Sequence, residues 1–394
     1  MSKIIRLWDR SRTVADWRCP RERYYRYEWG GRGIVAGNTS LELMLGILVH
    51  DGLAALANGI DIDYIAATQG AMMRSNLLDQ EGNPGTPEDV IFACEQGALV
   101  EGLLRGFEKH MWPTFQRDYT IALIEQELEL ERDGMVFMSK PDLVLKHNET
   151  GELWYVEYKT TSSKQDKWVN QWSTAVQLHS TIRAIEAHLS EKVAGVIVQG
   201  LYKGYESYGK QSSPFCYAYR RYGNPPFTKT ETKYEYSAGF KKFPSWELDG
   251  GVKEWVENMP EHVLTDQFPQ SPPIYVKDDL IESFFTQRTL REKEIQFGLK
   301  CFESCEEEEA KKSVLEVFFP QKFDSCMPGW GRPCEYSRIC HGEVSDPLRL
   351  GYELRQSHHA AEMEQHEKAE AEEERLGLST GRAKGAGSGE EPQL

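Results

Sequence analysis

The amino-acid pattern predicts an α/β protein, a central mixed sheet flanked by helices, with helical additions at both ends. Three observations predict it. Segments 136–146 and 153–160 read as strands joined across the turn-like His147-Asn148-Glu149-Thr150-Gly151. Residues 171–189 then carry a helical pattern. Residues 193–202 return to a strand, which completes a strand, strand, helix, strand order.

The remaining elements follow along the chain. Residues 1–36 form an aromatic and arginine-rich entry segment with a Gly-Gly-Arg-Gly turn at 30–33. Residues 39–58 and 87–116 read as helices, joined by a polar connection containing Gly and Pro. Residues 121–130 alternate imperfectly and read as a strand before the hairpin. Residues 204–250 are rich in Gly, Pro, Ser and Tyr, which predicts long loops or hairpins. Helical patterns return at 251–265 and 278–315. From Glu362 the chain is Glu-, Ala- and Gly-rich without aromatics, the composition of a frayed helix passing into disorder.

Composition sets limits on function. A length of 394 residues suits one large domain or two smaller ones, and 40% hydrophobic residues support a real core. No apolar stretch reaches membrane-spanning length; the best candidate, 41–56, is interrupted by Glu42, His50 and Asp51. Arg6, Asp9, Arg10 and Arg12 break any apolar run near the start, so no secretory signal is expected. The net charge of −16 counts against simple attraction to a polyanion. Residues 361–394 supply −5 of it, from nine Glu against four Lys or Arg. Basic groups remain in local patches at Arg18, Arg21, Arg23 and Arg26, at Lys159, Lys164 and Lys167, and at Arg220 and Arg221.

Chemistry concentrates at Lys140-Pro141-Asp142 and Glu157-Tyr158-Lys159. Side chains alternate along a strand, so Glu157 and Lys159 share one face while Tyr158 points away. The hairpin brings Asp142 beside Glu157. Two carboxylates and one ammonium then share a small patch. Carboxylate oxygens suit Mg²⁺ or Mn²⁺, which keep positions open for water and phosphate. Asp followed fifteen residues later by Glu-x-Lys is a pattern of metal-dependent phosphodiesterases. The triplet alone arises often by chance and by itself reads as a solvated strand face.

Further matches stand in a fixed order: Cys19-Pro20-Arg21 followed by aromatics, Gly46-Ile47-Leu48-Val49-His50, Asp142, Glu157-x-Lys159, Gln177, then Cys326, Cys334 and Cys340. In this order the chain resembles the PD-(D/E)XK nuclease superfamily, and within it the iron–sulfur-containing RecB-like branch, which includes phage-type exonucleases and CRISPR-adaptation nucleases. The resemblance implies a restriction-endonuclease-like core. It implies His50, Asp142 and Glu157 as metal ligands, joined by the backbone carbonyl of Tyr158, with Lys159 positioning the attacking water and Gln177 aligning Lys159 or the phosphate. The branch often has a tyrosine four residues after that glutamine; here Thr181 stands there. Trp168 and Trp172 near Gln177 read as core residues, with base stacking the rival reading.

The same resemblance implies that Cys19, Cys326, Cys334 and Cys340 hold a 4Fe–4S cluster. Zn²⁺ is the alternative, since four cysteines also make a closed tetrahedral site, although no C-x₂-C knuckle is present. Cys94, Cys216, Cys301 and Cys305 lack comparable surroundings. The implied function is a Mg²⁺- or Mn²⁺-dependent DNA exonuclease of phage-type recombination, repair or end processing. It would work in the cytoplasm of a bacterial or phage-infected cell, on DNA with a free end or single-stranded DNA, with no membrane. A recombination or single-strand-binding partner protein fits that setting. The alternatives are a non-catalytic DNA-binding or adaptor protein that keeps the fold, and a zinc-stapled protein with no nuclease role. Residues 1–350 would form the nuclease domain: a helical part at 37–118, the core at 119–203, a less defined region at 204–320 and the cysteine triplet at 321–342. Residues 351–394 would be an acidic tail.

Overall fold

The computed structural model describes residues 7–36, 40–78, 87–162, 168, 172, 176–203, 205–208, 211–214, 252, 256–257, 264–265, 267–326, 333–342, 346–356, 359 and 363. The chain divides into two compact units. The larger comprises Trp8–Ser11 and Asn38–Glu294, and the smaller comprises Met1–Leu7, Arg12–Gly37 and Ile295–Leu394.

The larger unit is built on a four-stranded sheet of β3 (Tyr119–Ile124), β6 (Leu143–His147), β7 (Leu153–Thr161) and β8 (Val193–Tyr202), in that order. β6 is antiparallel to both β3 and β7, and β8 is parallel to β7. A parallel neighbour needs a crossover, and helix α7 (Val176–Leu189) supplies it. Period-two alternation divides the sheet's apolar residues between two cores. Leu143, Leu145, Trp154, Val156 and Tyr158 join helices α3 (Leu41–Ala57), α4 (Ile62–Leu78) and α5 (Pro87–His110) through Leu48, Val49, Met73, Leu103 and Phe107. Val144, Tyr155, Val196 and Val198 pack with Leu178, Ile182 and Ile185 of α7 and with Phe284 and Phe285 of α8 (Asp278–Ser304). A second sheet, ordered β1 (Leu7–Asp9), β5 (Met135–Ser139), β4 (Leu128–Arg132), adds Trp8, Phe137 and Leu128 to that second core. This is the mixed α/β architecture that the sequence predicts.

Several boundaries differ from expectation. The segment 121–130 splits into β3 and β4 around Glu125, which has φ +46°. The segment 136–146 splits into β5 and β6 at Lys140-Pro141-Asp142, where Pro141 removes a ladder donor. The connection between the first two long helices contains the 17-residue α4, whose Ile65, Ala66, Gly70 and Met73 are buried. The 87–116 pattern is two helices, α5 and α6 (Trp112–Asp118), and the 278–315 pattern is α8 and α9 (Glu308–Phe318). Of 204–250, the described part is the hairpin β9 (Tyr205–Tyr208) and β10 (Gln211–Pro214). The rest, and most of the acidic tail, lies outside the described residues.

In the smaller unit, α1 (Arg10–Arg18) leads to the short α2 (Pro20–Arg23), with Pro20 at the position that tolerates a missing N–H. β2 (Ile34–Ala36) pairs antiparallel with β11 (Tyr352–Leu354). Ile34, Tyr336, Ile339 and Tyr352 pack together, and Tyr24, Ile295 and Phe319 make a second cluster.

Candidate functional site

Register sets the site. Leu143 of β6 lies opposite Val156 of β7, so one further step along the same register sets Asp142 opposite Glu157. Ile124 of β3 lies opposite Leu143, and the next step sets Glu125 beside Asp142. The Glu125 N–H donates to the Asp142 carbonyl at 3.2 Å. Three carboxylates therefore come from one row across three adjacent strands. The bulge in β3 between Ile121 and Leu123 decides that Glu125 belongs to it, because a one-residue slip reverses which side chains share a face.

Helix α3 brings His50 onto the row. Its Nδ1 lies 3.2 Å from Asp142 Oδ1, while Asp142 Oδ2 accepts from the Tyr158 N–H at 2.7 Å. His50, Glu125 and Asp142 each offer a ligand atom within 4.8 Å of the others. Glu157 Oε1 accepts from the Lys159 ammonium and Oε2 from the Tyr155 hydroxyl, all three residues on one face of β7. Lys140 pairs with Glu125 at 2.7 Å. Arg10 lies 3.6 Å from Glu157.

Electrostatics separates the three acids. Burial pushes the Asp142 pKa up, but the His50 charge and hydrogen bond, the Lys159 charge and the Tyr158 N–H outweigh it and hold the group below its ordinary value. Burial and the Asp142 charge raise Glu157, against Lys159 and Arg10. Burial and Asp142 also raise Glu125, against Lys140 and His50. Burial lowers His50, but Asp142 overcomes it and the net shift is upward. Two carboxyl groups held above their usual range mean that full ionisation of the row is unfavourable without a compensating cation. Hard oxygen donors and one imidazole are a fitting donor set for Mg²⁺ or Mn²⁺.

The structure thus brings together His50, Asp142, Glu157, Tyr158 and Lys159. Gln177 falls in the first turn of α7, and its side chain lies outside the described residues. Thr181 is buried and accepts a 3.1 Å hydrogen bond from Ser139, so this position ties α7 to β5. Trp168 is 1% exposed and belongs to the second core, with Trp172 edge-on at 5.6 Å. Sequence reasoning missed Glu125 and Arg10. Nothing in the local pattern marks Glu125, since a bulge and a left-handed backbone place it; Arg10 offers only a basic residue at the first position of α1.

The four predicted cysteines line one pocket of the smaller unit. Cys19 caps α2 and its Sγ accepts from the Lys322 N–H at 3.5 Å. Cys340 ends the short α10 (Ser337–Cys340), and its Sγ accepts from Gln321 Nε2 at 3.0 Å. The Cys334 N–H donates to the Cys326 carbonyl at 2.8 Å. Burial raises the thiol pKa of Cys334 and Cys340, and the Cys19 and Cys326 charges add to it. None of the four is in a disulfide. Four sulfurs line this pocket and two of them receive N–H donors, which is the donor type of a thiolate-bound cluster, although among the described residues no three of them come within 4.8 Å of one another. Cys94 is buried in the larger unit, the Cys305 thiol donates to the Cys301 carbonyl, and Cys216 lies outside the described residues.

One expectation is overturned. Arg18, Arg21, Arg23 and Arg26 do not form a free basic surface. Arg18 pairs with Glu22, and Arg23, fully buried, pairs with Glu28 at 2.9 Å. Arg21 donates to the Phe319 carbonyl at 2.8 Å, and Arg26 pairs with Glu335. The planar fork of each guanidinium suits charge-assisted pairing with the carboxylates and carbonyls around it. Lys164, Lys167, Arg220 and Arg221 lie outside the described residues. No described helix is long and apolar enough to cross a membrane.

No curated protein matches the chain. The family model of the PD-(D/E)XK nuclease superfamily matches residues 15–341, which include His50, the Asp142 and Glu157-x-Lys159 motifs and all four cysteines of the pocket. The chain belongs to the PD-(D/E)XK nuclease superfamily.

Proposed function

We propose that the protein is a Mg²⁺- or Mn²⁺-dependent deoxyribonuclease of the RecB-like branch, acting as an exonuclease on DNA ends. The observation that carries the reading is the carboxylate row: Asp142 between Glu125 and Glu157, with His50 above it and Lys159 alongside. His50, Asp142, Glu157 and the Tyr158 carbonyl would hold the metal, and Glu125 joins them as a donor that the sequence motifs do not include. Bound there, the ion supplies Lewis acidity toward the phosphate and makes a water nucleophilic near neutral pH.

The protein's own groups do the positioning. The Tyr158 N–H and His50 fix both oxygens of Asp142, so its carboxylate cannot rotate away. The Tyr155 hydroxyl fixes Glu157 in the same way. Lys159, 22% exposed, reaches the open side of the row, where its ammonium holds the attacking water and offsets charge at phosphorus. Gln177, at the start of α7, would align Lys159 or the phosphate.

A 4Fe–4S cluster on Cys19, Cys326, Cys334 and Cys340 completes the proposal; it supplies a structural cross-link. The donor chemistry of the pocket supports it, with Zn²⁺ as the alternative occupant. Residues 1–350 would then act as one nuclease domain and 351–394 as an acidic tail. Phage-type recombination or repair is the fitting setting, with a single-strand-binding or recombination protein as partner.

Digestion of end-labelled linear DNA and covalently closed circular DNA with Mg²⁺ or Mn²⁺ tests the reading. Loss of the linear substrate with the circle spared is the expected result. An intact linear substrate with both ions would overturn nuclease action, and linearisation of the circle would replace exonuclease by endonuclease.

A further inference from the structure

Arg10 stands at the mouth of the carboxylate row, in the same unit. Its guanidinium is 3.6 Å from Glu157 Oε1, a distance for an ion pair but too long for a hydrogen bond. Both Glu157 oxygens already accept hydrogen bonds, from Lys159 and Tyr155. The Arg10 side chain is 42% exposed, whereas that of Glu157 is 4% exposed. The guanidinium therefore sits on the solvent side of the buried acid, held there by charge. Burial of its surroundings pulls its pKa below the ordinary value while Glu157, Asp142 and Asp9 oppose the shift, and an arginine so placed stays charged.

A cation held by Glu157 would neutralise the charge that attracts Arg10. The next anion to approach this side of the row is the substrate's phosphate. A guanidinium suits that anion, because its planar fork meets two phosphate oxygens at once. We propose that Arg10 is a catalytic residue that binds the phosphate being cleaved, a contact it makes once the carboxylates hold their cation. In the metal-free protein the same guanidinium serves as partial counter-ion to Glu157. This inference rests on the nuclease reading.

The test compares wild type, Arg10→Ala and Arg10→Lys in two measurements. Mn²⁺ binding without DNA is followed by electron paramagnetic resonance. Cleavage of a linear oligonucleotide is followed over a salt series. Arg10→Ala is expected to bind Mn²⁺ as tightly as wild type or more tightly, and to lose about 10²-fold in kcat. The slope of log(kcat/KM) against log[salt] should fall in magnitude by about one. Arg10→Lys keeps the charge without the fork and should fall between; it carries the test if Arg10→Ala does not fold. Wild-type kcat and salt slope in either variant, with only Mn²⁺ affinity altered, would reduce Arg10 to a counter-ion and overturn the proposal. An inactive wild type that still binds Mn²⁺ would instead overturn the nuclease reading, and this inference with it.

Discussion

Asp142 and Glu157 sit side by side and shift in opposite directions, and the cause is local. Asp142 has His50 and a backbone N–H; Glu157 is the more deeply buried neighbour of an ionised Asp142. The signs fix a pH dependence. Glu157 and Glu125 titrate above their ordinary 4.5, so in that window the folded metal-free protein holds more protons than the unfolded chain. Their contribution to stability therefore falls as pH rises from about 4.5 through the raised values. Asp142, with its pKa depressed, contributes stability above its ordinary value and loses it as pH falls. Melting temperatures measured in chelator should show the wild type losing stability relative to Glu157→Gln as pH rises. Saturating Mn²⁺ should remove that pH-dependent loss from the wild type and stabilise Glu157→Gln by less, since His50, Asp142 and Glu125 remain as donors there. An identical pH profile for the two proteins in chelator would mean that Glu157 carries no such strain. His50→Ala should weaken Mn²⁺ more than Mg²⁺, because imidazole favours the softer ion; unchanged metal preference in a cleavage titration would assign His50 to packing. Asp142, Glu157, Lys159 and His50 were legible because each belongs to a short motif with its own spacing. Glu125 was not, because its place depends on a bulge in β3 and a left-handed backbone, neither of which leaves a residue signature.

At the scale of elements, the hairpin of β6 and β7, the crossover helix α7 and β8 were legible from period and turn chemistry. The helical layer was less so. Helix α4 hides in a connection that looks polar because only one side of it is buried. Its packing explains one glycine and leaves another free. A Cβ on Gly97 of α5 would lie 2.7 Å from the Gly70 carbonyl of α4, a backbone atom that cannot turn aside. A Cβ on Gly46 of α3 would meet Thr160 at 3.6 Å, an ordinary contact. Gly97→Ala should therefore cost about 1–3 kcal/mol in denaturant unfolding, the range for overpacking. Gly46→Ala should be neutral or gain up to about 1 kcal/mol from helix propensity. The reverse order would show that the α4–α5 approach is looser than these distances. The motif glycine at 46 is thus not required by sterics in this fold, whereas Gly97, which belongs to no motif, is.

For the whole molecule, Cys19 stands more than three hundred residues before Cys326, so a shared cluster would close most of the chain into one loop. Metal–thiolate bonds formed only in the folded state add directly to its stability. Protein purified without oxygen should be brown and hold about four iron and four sulfide per chain. Alanine at Cys19, Cys326, Cys334 or Cys340 should bleach it and lower solubility, whereas alanine at Cys94 or Cys216 should not bleach it. About one zinc and no iron would replace the cluster and keep the pocket as its site. Cleavage at the carboxylate row is the claim on which the rest depends. Its most direct test is the cleavage rate of wild type, Asp142→Ala and Glu157→Ala on one end-labelled DNA, with Mn²⁺ and with chelator, each variant first shown to melt cooperatively. Cleavage by the wild type in Mn²⁺ alone, with both variants inactive, is the expected result. A folded Asp142→Ala or Glu157→Ala protein that cleaves at the wild-type rate would contradict it.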